Sequence, residues 1–173
     1  IWVTTKVTEE NAKADDFARS VDTSLKTLGL DYVDLLLIHW QQPKVPLEET
    51  LGGLVEARKL GLTRNIGVSN FTVALMEEAV AKAAAPLVCN QVEYHPFLDQ
   101  RRLIDGARAL GLFVTAYSPL AQGDVGGDPT LDAIARKHGK TPAQVTLRWL
   151  VDQDGVAAIP KAASARHCRA NFD

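Results

Sequence analysis

The chain has 173 residues, of which 46% are hydrophobic and 23% are charged, a composition typical of one soluble globular domain over residues 1–173. Its 19 basic and 21 acidic side chains give a net charge of −2 without any basic run, which argues against nucleic acid as a partner. No apolar run approaches the roughly 20 residues of a membrane span. The first residues do not resemble a signal peptide, so we expect a cytoplasmic protein without membrane contact.

Apolar runs that stop at polar residues predict strands buried on both faces. The longest lies within Asp31–Trp40 and stops abruptly at His39 and Trp40. Such runs are typical of parallel sheets covered by helices, and the carboxyl ends of these strands carry the chemistry in enzymes. On spacing alone, His39 fits a structural role as well as a proton-handling one. Six strands are predicted, at residues 1–5, in the run ending at His39, and at residues 65–70, 87–91, 113–118 and 156–160.

Between the strands, apolar residues recur at spacings of three and four, the pattern of helices with one buried face. The stripes are Phe17, Val21, Leu25 and Leu28; Leu47, Leu51, Leu54 and Val55; Met76, Ala79, Val80 and Ala83; and Leu103, Ile104, Ala107 and Leu110. Two further helices carry capping signals, Asp128 before a proline and the Thr-x-x-Gln form at Thr141. We assign Trp149 to core packing and expect a last helix over Ser164–Phe172.

A helix-ending pattern occurs three times, at Lys26–Leu30, Arg58–Leu62 and Arg108–Leu112. In each, a cation in the last helical turn faces the negative end of the helix dipole. The glycine that follows can adopt the left-handed cap conformation, and the next leucine can pack back on the helix. The pattern predicts a chain that turns repeatedly from helix to strand.

Strict alternation of strands and helices implies right-handed parallel crossovers, as in an open doubly wound sheet or a closed (β/α)8 barrel. Polar residues end nearly every predicted strand, which suits a ring converging on one site better than a single switch point. A barrel of this kind has eight strands and about 250 residues. The chain is therefore about two βα units short of one.

The cysteines and the glycine-rich run carry no metal, redox or dinucleotide motif. Cys89 lies in an apolar run and Cys168 has no cysteine at a motif spacing, so we interpret both as structural and expect no metal site. Gly123–Gly127 lacks the G-x-G-x-x-G spacing and follows a loop, so we interpret it as a flexible turn.

Six runs that end or follow the predicted strands stand out along the chain: Val3–Lys6, Asp34–Trp40, Ile66–Phe71, Asn90–Pro96, Ala116–Leu120 and Ile159–Lys161. In this order, they resemble the successive motifs of the aldo-keto reductase family. The similarity is greatest to the bacterial subgroup of 2,5-diketo-D-gluconate and methylglyoxal reductases. The resemblance implies a (β/α)8 TIM barrel that binds NADPH without a Rossmann fold, here incomplete with about six βα units.

The resemblance also implies two catalytic residues in this chain, Lys6 and His39. The family reaction uses Asp, Tyr, Lys and His, and no Asp or Tyr of this chain stands in the matching context. It therefore implies an internal fragment, inactive by itself, that lacks the first two strands, the C-terminal helix and the substrate loop. Lys6 would lower the pKa of the tyrosine that donates a proton, and His39 would bind the substrate oxygen. A solvated surface charge is the alternative for Lys6.

At the nicotinamide end of the cofactor, the resemblance assigns three residues to the carboxamide group: Ser69, Asn70 and Gln91. Their side chains can both donate to and accept from one amide. Tyr117 matches the aromatic residue that stacks on the nicotinamide ring. Trp40 would line the substrate pocket. A core position remains the alternative for Tyr117 and for Trp40.

At the phosphate end, Ser118 and Leu120 match the loop beside the pyrophosphate. The residues matched around the adenosine 2′-phosphate are Lys161, Ser164, His167 and Asn171. His167 occupies the position, six residues after Lys161, at which the family usually has arginine. Arginine offers a fixed charge and a bidentate fork for phosphate, whereas histidine does not. We therefore expect NADPH to be preferred less strongly than in relatives, with NADH as a weaker cofactor.

The sequence thus predicts an NADPH-dependent oxidoreductase that reduces aldehydes or ketones of small or sugar-derived carbonyl substrates, a monomer in its complete form. A non-catalytic cofactor-sensing or regulatory subunit of the same fold is one alternative. A structural or binding module with another parallel α/β fold is the other.

Overall fold

The computed structural model describes residues 1–173 and contains six β-strands and seven α-helices. The strands are β1 (Thr4–Val7), β2 (Val33–Ile38), β3 (Thr63–Ser69), β4 (Leu87–Glu93), β5 (Phe113–Tyr117) and β6 (Val156–Ala158). The helices are α1 (Ala14–Leu28), α2 (Leu47–Lys59), α3 (Val73–Lys82), α4 (Arg101–Ala109), α5 (Pro129–His138), α6 (Pro142–Val151) and α7 (Ala165–Ala170). The predicted alternation of six strands with helices is confirmed.

The six strands form one sheet in which they follow each other in chain order. β1 pairs with β2, β2 with β3, and β5 with β6, and all three pairs are parallel. This order is the one that repeated right-handed βαβ crossovers produce.

β1 differs from its predicted range of residues 1–5. It begins at Thr4 and runs through Lys6 to Val7, because these residues pair with Leu35–Ile38 of β2. Ile1 and Trp2 lie outside the strand and are exposed. Lys6 therefore lies within the sheet rather than just beyond it.

The chain divides into two compact units. Unit 1 comprises Ile1–Asn90 and Gly106–Leu112, and unit 2 comprises Gln91–Asp105 and Phe113–Asp173. In unit 1, α1 and α2 approach closely, because a Cβ atom at Gly53 of α2 would lie 2.7 Å from the Phe17 ring of α1. The glycine is therefore required by packing and not by backbone conformation.

The helical stripes predicted for unit 1 are largely confirmed. Phe17, Val21 and Leu25 of α1 are buried, and the whole stripe predicted for α2 is buried. Leu28 is 47% exposed, so its assignment to the buried face is wrong. It belongs to the last turn of α1, just before the glycine at which the chain leaves the helix.

In unit 2, the prediction that Trp149 packs in the core is wrong. Trp149 is 40% exposed, whereas Thr146, Leu147 and Leu150 form the buried side of α6. Successive side chains of a helix differ by about 100° in direction, so the side chains of Trp149 and Leu150 point in different directions. Its ring instead contacts the ring of Tyr94, with 5.2 Å between the centroids.

The three predicted helix ends share one hydrogen-bond pattern. At Gly29, Gly61 and Gly111 the backbone is left-handed, with φ of 66°, 74° and 73°. In each case the glycine N–H donates to the carbonyl three residues earlier, and the next N–H donates to the carbonyl five residues before it. This is the Schellman arrangement. A fourth example, at Gly139 after α5, lacks the Leu-Gly-Leu sequence and was not predicted.

The predicted helix starts in unit 2 are confirmed. The Asp128 carboxylate accepts from the backbone N–H groups of Thr130 and Leu131, at 3.0 and 2.8 Å. Thr141 and Gln144 form the reciprocal capping box at the start of α6. Both devices satisfy N–H groups that have no partner inside the helix.

The cysteines differ from each other in environment. Cys89 is fully buried on β4, as a structural residue should be. Cys168 is exposed on α7, so its interpretation as a structural residue is wrong. The sequence around Cys168 is short and polar, and α7 buries no residue.

Candidate functional site

The carboxyl ends of β2 and β3 bring three predicted site residues together in unit 1. His39 directly follows β2, and its backbone N–H donates to the carbonyl of Val7 at 2.9 Å. Ser69, the last residue of β3, is buried, and Asn70 follows it. The Asn70 side-chain amide donates to the His39 carbonyl at 3.1 Å and to the Ser69 hydroxyl oxygen at 3.2 Å. The predicted catalytic histidine thus lies beside two predicted carboxamide-binding residues.

The turn after β3 is fixed by a residue whose role the sequence did not reveal. Asn70 has a left-handed backbone with φ of 62°, which asparagine tolerates better than most residues. The next residue, Phe71, donates its N–H to the Asn90 side-chain oxygen at 3.3 Å, and its carbonyl accepts from the Asn90 amide at 2.9 Å. Asn90 is fully buried. Because its partner lies 19 residues away, no local pattern signals this clamp.

Lys6 is half-buried on β1 and pairs in register with Leu37 of β2. Desolvation lowers the pKa of its ammonium group from the usual value, and the nearby Cys89 partly opposes this effect. A solvated charge at a strand end would not experience desolvation of this kind. The burial therefore favours a functional role for Lys6 over that alternative.

Trp40 lies in the loop after β2, directly after His39. It is 45% exposed, so the alternative of a core tryptophan is wrong. Its ring centroid lies 6.3 Å from that of His39, which is half-buried. A large aromatic surface open to solvent beside a histidine suits contact with a small substrate.

Two predicted cofactor residues lie on β4 and β5 of unit 2. Gln91 is buried, and Tyr117 is half-buried at the end of β5. Burial, followed by the charge of Glu93, raises the pKa of the Tyr117 phenol above its usual value. Because its ionised form is disfavoured, Tyr117 suits a stacking role better than proton donation. Its partial exposure contradicts the alternative of a core tyrosine.

The loop after β5 contains a cluster of unusual backbone conformations. Ser118, Ala121 and Gln122 have φ of 47°, 47° and 55°, although none is glycine. Two tight turns hold them, with the Ala121 N–H donating to the Ser118 carbonyl and the Gly123 N–H donating to that of Leu120, both at 2.9 Å. Backbone conformations of this kind are concentrated at ligand-binding loops. Ser118 and Leu120 are both partly accessible.

The four residues predicted around the 2′-phosphate lie on α7 and just before and after it. The Ser164 hydroxyl caps the helix by accepting from the backbone N–H of His167 at 3.2 Å. Lys161, Ser164 and His167 are exposed, whereas Asn171 is half-buried beyond the end of the helix. The structure thus joins Ser164 to His167 directly.

Unit 2 also contains a partly buried cluster that the sequence did not indicate. The Tyr94 hydroxyl donates to the Gln153 side-chain oxygen at 2.8 Å, and the Gln153 amide donates to the Trp149 carbonyl at 3.1 Å. Burial raises the pKa of the Tyr94 phenol. The cluster links the end of β4 to the end of α6, so we interpret it as structural. No group of three or more acidic, histidine or cysteine side chains is arranged to hold a metal ion.

A sheet whose strands follow each other in chain order, with helices between them, is typical of a β/α protein of the TIM-barrel class. The sequence model of the aldo/keto reductase family matches residues 1–173. The chain belongs to this family. The predicted family and barrel-type fold are therefore confirmed.

The chain is similar to the methylglyoxal reductase DkgB of Salmonella typhimurium, with 45% identity over 165 residues that cover 94% of this chain and 61% of the relative. An aldo-keto reductase of Mycobacterium ulcerans is 41% identical over 174 residues, covering 100% of this chain and 61% of that protein. The chain thus spans about three-fifths of the length of these relatives, in agreement with the prediction of an incomplete barrel.

Two crystal structures resemble this one. A candidate 2,5-diketo-D-gluconic acid reductase B has a TM-score of 0.97 at 48% identity, covering 99% of this chain and 61% of that one. An aldo-keto reductase of Bombyx mori in complex with NADP has a TM-score of 0.91 at 36% identity, covering 100% of this chain and 62% of the other. In this structure, none of the helices has the length and apolar character needed to cross a membrane.

Proposed function

We propose that the protein containing this chain reduces aldehydes and ketones of small or sugar-derived molecules to alcohols with NADPH. The observation that carries the proposal is the hydrogen bond from the Asn70 amide to the His39 carbonyl. It joins the residue expected to bind the substrate oxygen to a residue expected to bind the nicotinamide carboxamide. Membership of the aldo/keto reductase family and similarity to a methylglyoxal reductase support it.

The residues of the chain fit the chemistry of this cofactor. Ser69 and Gln91 are buried, and a hydroxyl and an amide side chain can each donate to and accept from a carboxamide. Lys161 is a cation close in sequence to Ser164, and both residues are exposed. An ammonium group and a hydroxyl can both bind a phosphate group. The similarity of this chain to the Bombyx mori aldo-keto reductase, whose structure was determined in complex with NADP, supports this assignment.

When bound, NADPH supplies a hydride for the carbonyl carbon. His39 would hold the carbonyl oxygen by a hydrogen bond, which fixes the orientation of the substrate. Lys6 would place a positive charge near the proton donor and so favour the ionised form of that donor. Trp40 would contact the apolar part of the substrate and exclude water from it.

The test uses the full-length protein and follows the loss of NADPH absorbance with methylglyoxal and with a diketo sugar acid. We expect turnover by the wild type and a loss of about 100-fold or more in kcat/KM for His39→Ala. NADPH affinity, measured by quenching of protein fluorescence, should change little in this variant. Trp2→Ala, at an exposed position outside β1, is a matched control for substitution of an aromatic ring.

Two outcomes would contradict the proposal. NADPH binding without turnover on any carbonyl compound would favour a cofactor-sensing or regulatory subunit. Absence of NADPH binding would favour a binding module without reductase chemistry. Normal turnover by His39→Ala would show that His39 has no catalytic role, although the protein would still be a reductase.

A further inference from the structure

The Asn90 side chain binds the backbone of Phe71 at two points. Its oxygen accepts from the Phe71 N–H at 3.3 Å, and its amide donates to the Phe71 carbonyl at 2.9 Å. We refer to these two hydrogen bonds as the Asn90 clamp. The same amide lies 3.1 Å from the Met76 sulfur, so the side chain is directed toward α3. Asn90 itself is not among the residues proposed to contact the cofactor or the substrate.

The clamp acts on the residue that follows Asn70, whose backbone is left-handed. Such a conformation costs free energy in residues other than glycine and persists where the surrounding structure enforces it. On one side, the Asn70 amide donates to the His39 carbonyl and to the Ser69 hydroxyl oxygen. On the other side, the Asn90 clamp fixes the peptide unit that follows. Both sets of hydrogen bonds therefore determine where the Asn70 side chain points.

Water does not replace the clamp in this structure, because both of its partners are buried. Phe71 is 1% exposed and Asn90 is 0% exposed. A buried N–H and a buried carbonyl that lose their partners destabilise the conformation in which they lie. Loss of the clamp should therefore favour another backbone path at Phe71. The alternative is that burial of the Phe71 ring alone holds the turn, and the experiment below distinguishes the two.

We propose that Asn90 is a positioning residue for the carboxamide group of the nicotinamide, acting through Phe71 on the side chains of Ser69 and Asn70. This inference rests on the proposed function, in which Ser69 and Asn70 bind that group. Without the clamp, Asn70 leaves its left-handed conformation, and its amide no longer reaches the His39 carbonyl and the Ser69 hydroxyl. The carboxamide then loses hydrogen bonds that orient the nicotinamide ring, whereas the phosphate groups keep theirs.

The experiment is calorimetric titration of the full-length protein with two nucleotides. These are NADP⁺ and 2′-phospho-ADP-ribose, which has the same phosphates and adenosine but no nicotinamide. The test variant is Asn90→Leu, which keeps the branching of the side chain and removes its hydrogen-bonding groups. Asn65→Leu is the matched control, because the Asn65 amide donates to the Asp34 carbonyl at 3.0 Å, near the start of β3. Met76→Leu is a second control, which removes the sulfur contact and keeps the clamp.

We expect the dissociation constant of NADP⁺ to rise about tenfold in Asn90→Leu, roughly the effect of one lost hydrogen bond. That of 2′-phospho-ADP-ribose should change by less than about twofold. Both constants should stay in place in the two control variants. Equal rises for the two nucleotides in Asn90→Leu would indicate a general loss of structure and overturn the inference. Unchanged constants in Asn90→Leu would also overturn it, because the buried Phe71 ring would then suffice.

A second titration asks whether Asn90 acts on the carboxamide group itself. In the 3-acetylpyridine analogue of NADP⁺, a methyl group replaces the NH₂ of the amide. This analogue should bind more weakly than NADP⁺ to the wild type, and the difference should shrink in Asn90→Leu, as in a double-mutant cycle between interacting groups. An equal difference in the two proteins would contradict a role of Asn90 in carboxamide binding.

Failure of the proposed function would be recognised separately, because these titrations need no turnover. A wild-type protein that binds NADP⁺ but reduces no carbonyl compound would refute the proposed function, and the titrations would still decide the role of Asn90. A wild-type protein that binds both nucleotides equally well would overturn the inference, whereas its reductase activity would be measured independently. Circular dichroism and thermal melting check folding, and Asn90→Ala replaces Asn90→Leu if the latter does not fold.

Discussion

At the scale of single residues, Lys6 combines a cost in folding with its proposed role in catalysis. Its folded-state pKa lies below the unfolded value of 10.5, because burial disfavours the ammonium form. Protonation therefore favours the unfolded chain. This destabilisation is fully present below the folded-state pKa and disappears as the pH rises through the unfolded value. A residue placed for function often carries such a penalty.

We predict that Lys6→Met in the full-length protein lowers kcat by about 100-fold or more while NADPH affinity changes little. The melting temperature at pH 7 should be equal to or higher than that of the wild type, and the difference should shrink toward pH 10.5. Steady-state kinetics and calorimetry measure the two effects. Lys82→Met is the control for loss of a lysine. Near-normal turnover, or a large fall in melting temperature, would contradict the prediction.

His167 gives a second prediction at this scale. It is exposed on α7, where its backbone N–H is bound by the Ser164 hydroxyl. A histidine lacks the fixed charge and the bidentate fork that arginine offers to a phosphate group. His167→Arg should therefore raise the ratio of kcat/KM for NADPH to that for NADH.

The control for this measurement is His138→Arg, because His138 is another exposed helical histidine, at the end of α5. It should leave the cofactor ratio unchanged. If His167→Arg also leaves the ratio unchanged, His167 does not contact the 2′-phosphate, and Lys161 alone accounts for any preference for NADPH.

At the scale of helices and strands, local rules predicted most of this fold, whereas the exact buried face of a helix and the contacts between distant residues were not predicted. The caps at Asp128 and Thr141 and the turn at Gly61 depend on neighbouring residues, so the sequence contains them. Trp149 was misplaced because one step around a helix decides which residue is buried. The clamp of Phe71 by Asn90 joins distant parts of the chain. The predicted site residues were identified from the motifs that resemble the family and not from periodicity.

Asp128 provides a prediction for one element. Its carboxylate accepts from two backbone N–H groups at the start of α5, and it lies near the positive end of the helix dipole. Asp128→Ala should lower the free energy of unfolding by about 1 kcal/mol, and Asp128→Asn by clearly less. Denaturant unfolding of the full-length protein measures both. Asp132→Ala, in the same helical turn, is the control, and equal losses in Asp128→Ala and Asp132→Ala would contradict a capping role.

At the scale of the whole molecule, the sheet has an outer strand at each end of its order. β1 pairs only with β2, and β6 pairs only with β5. Unpaired strand edges are templates for wrong association with other chains. In unit 2, Ile159 follows β6 and is 47% exposed, and Phe172 is almost fully exposed. Unpaired strand edges and exposed apolar side chains together predict that these residues, produced alone, self-associate.

We therefore predict that the 173-residue chain, produced alone, catalyses no NADPH-dependent reduction of aldehydes and self-associates. The first expectation follows from the sequence-based prediction that the Asp and Tyr used by the family have no counterpart among these residues. Ala157→Lys, which puts a charge on the exposed middle residue of β6, should reduce association, whereas Ala133→Lys on the exposed side of α5 should not. Light scattering and NADPH absorbance measure the two properties. Measurable turnover would show that the proton donor lies within these residues, and a monodisperse wild-type monomer would show that the strand edges are protected.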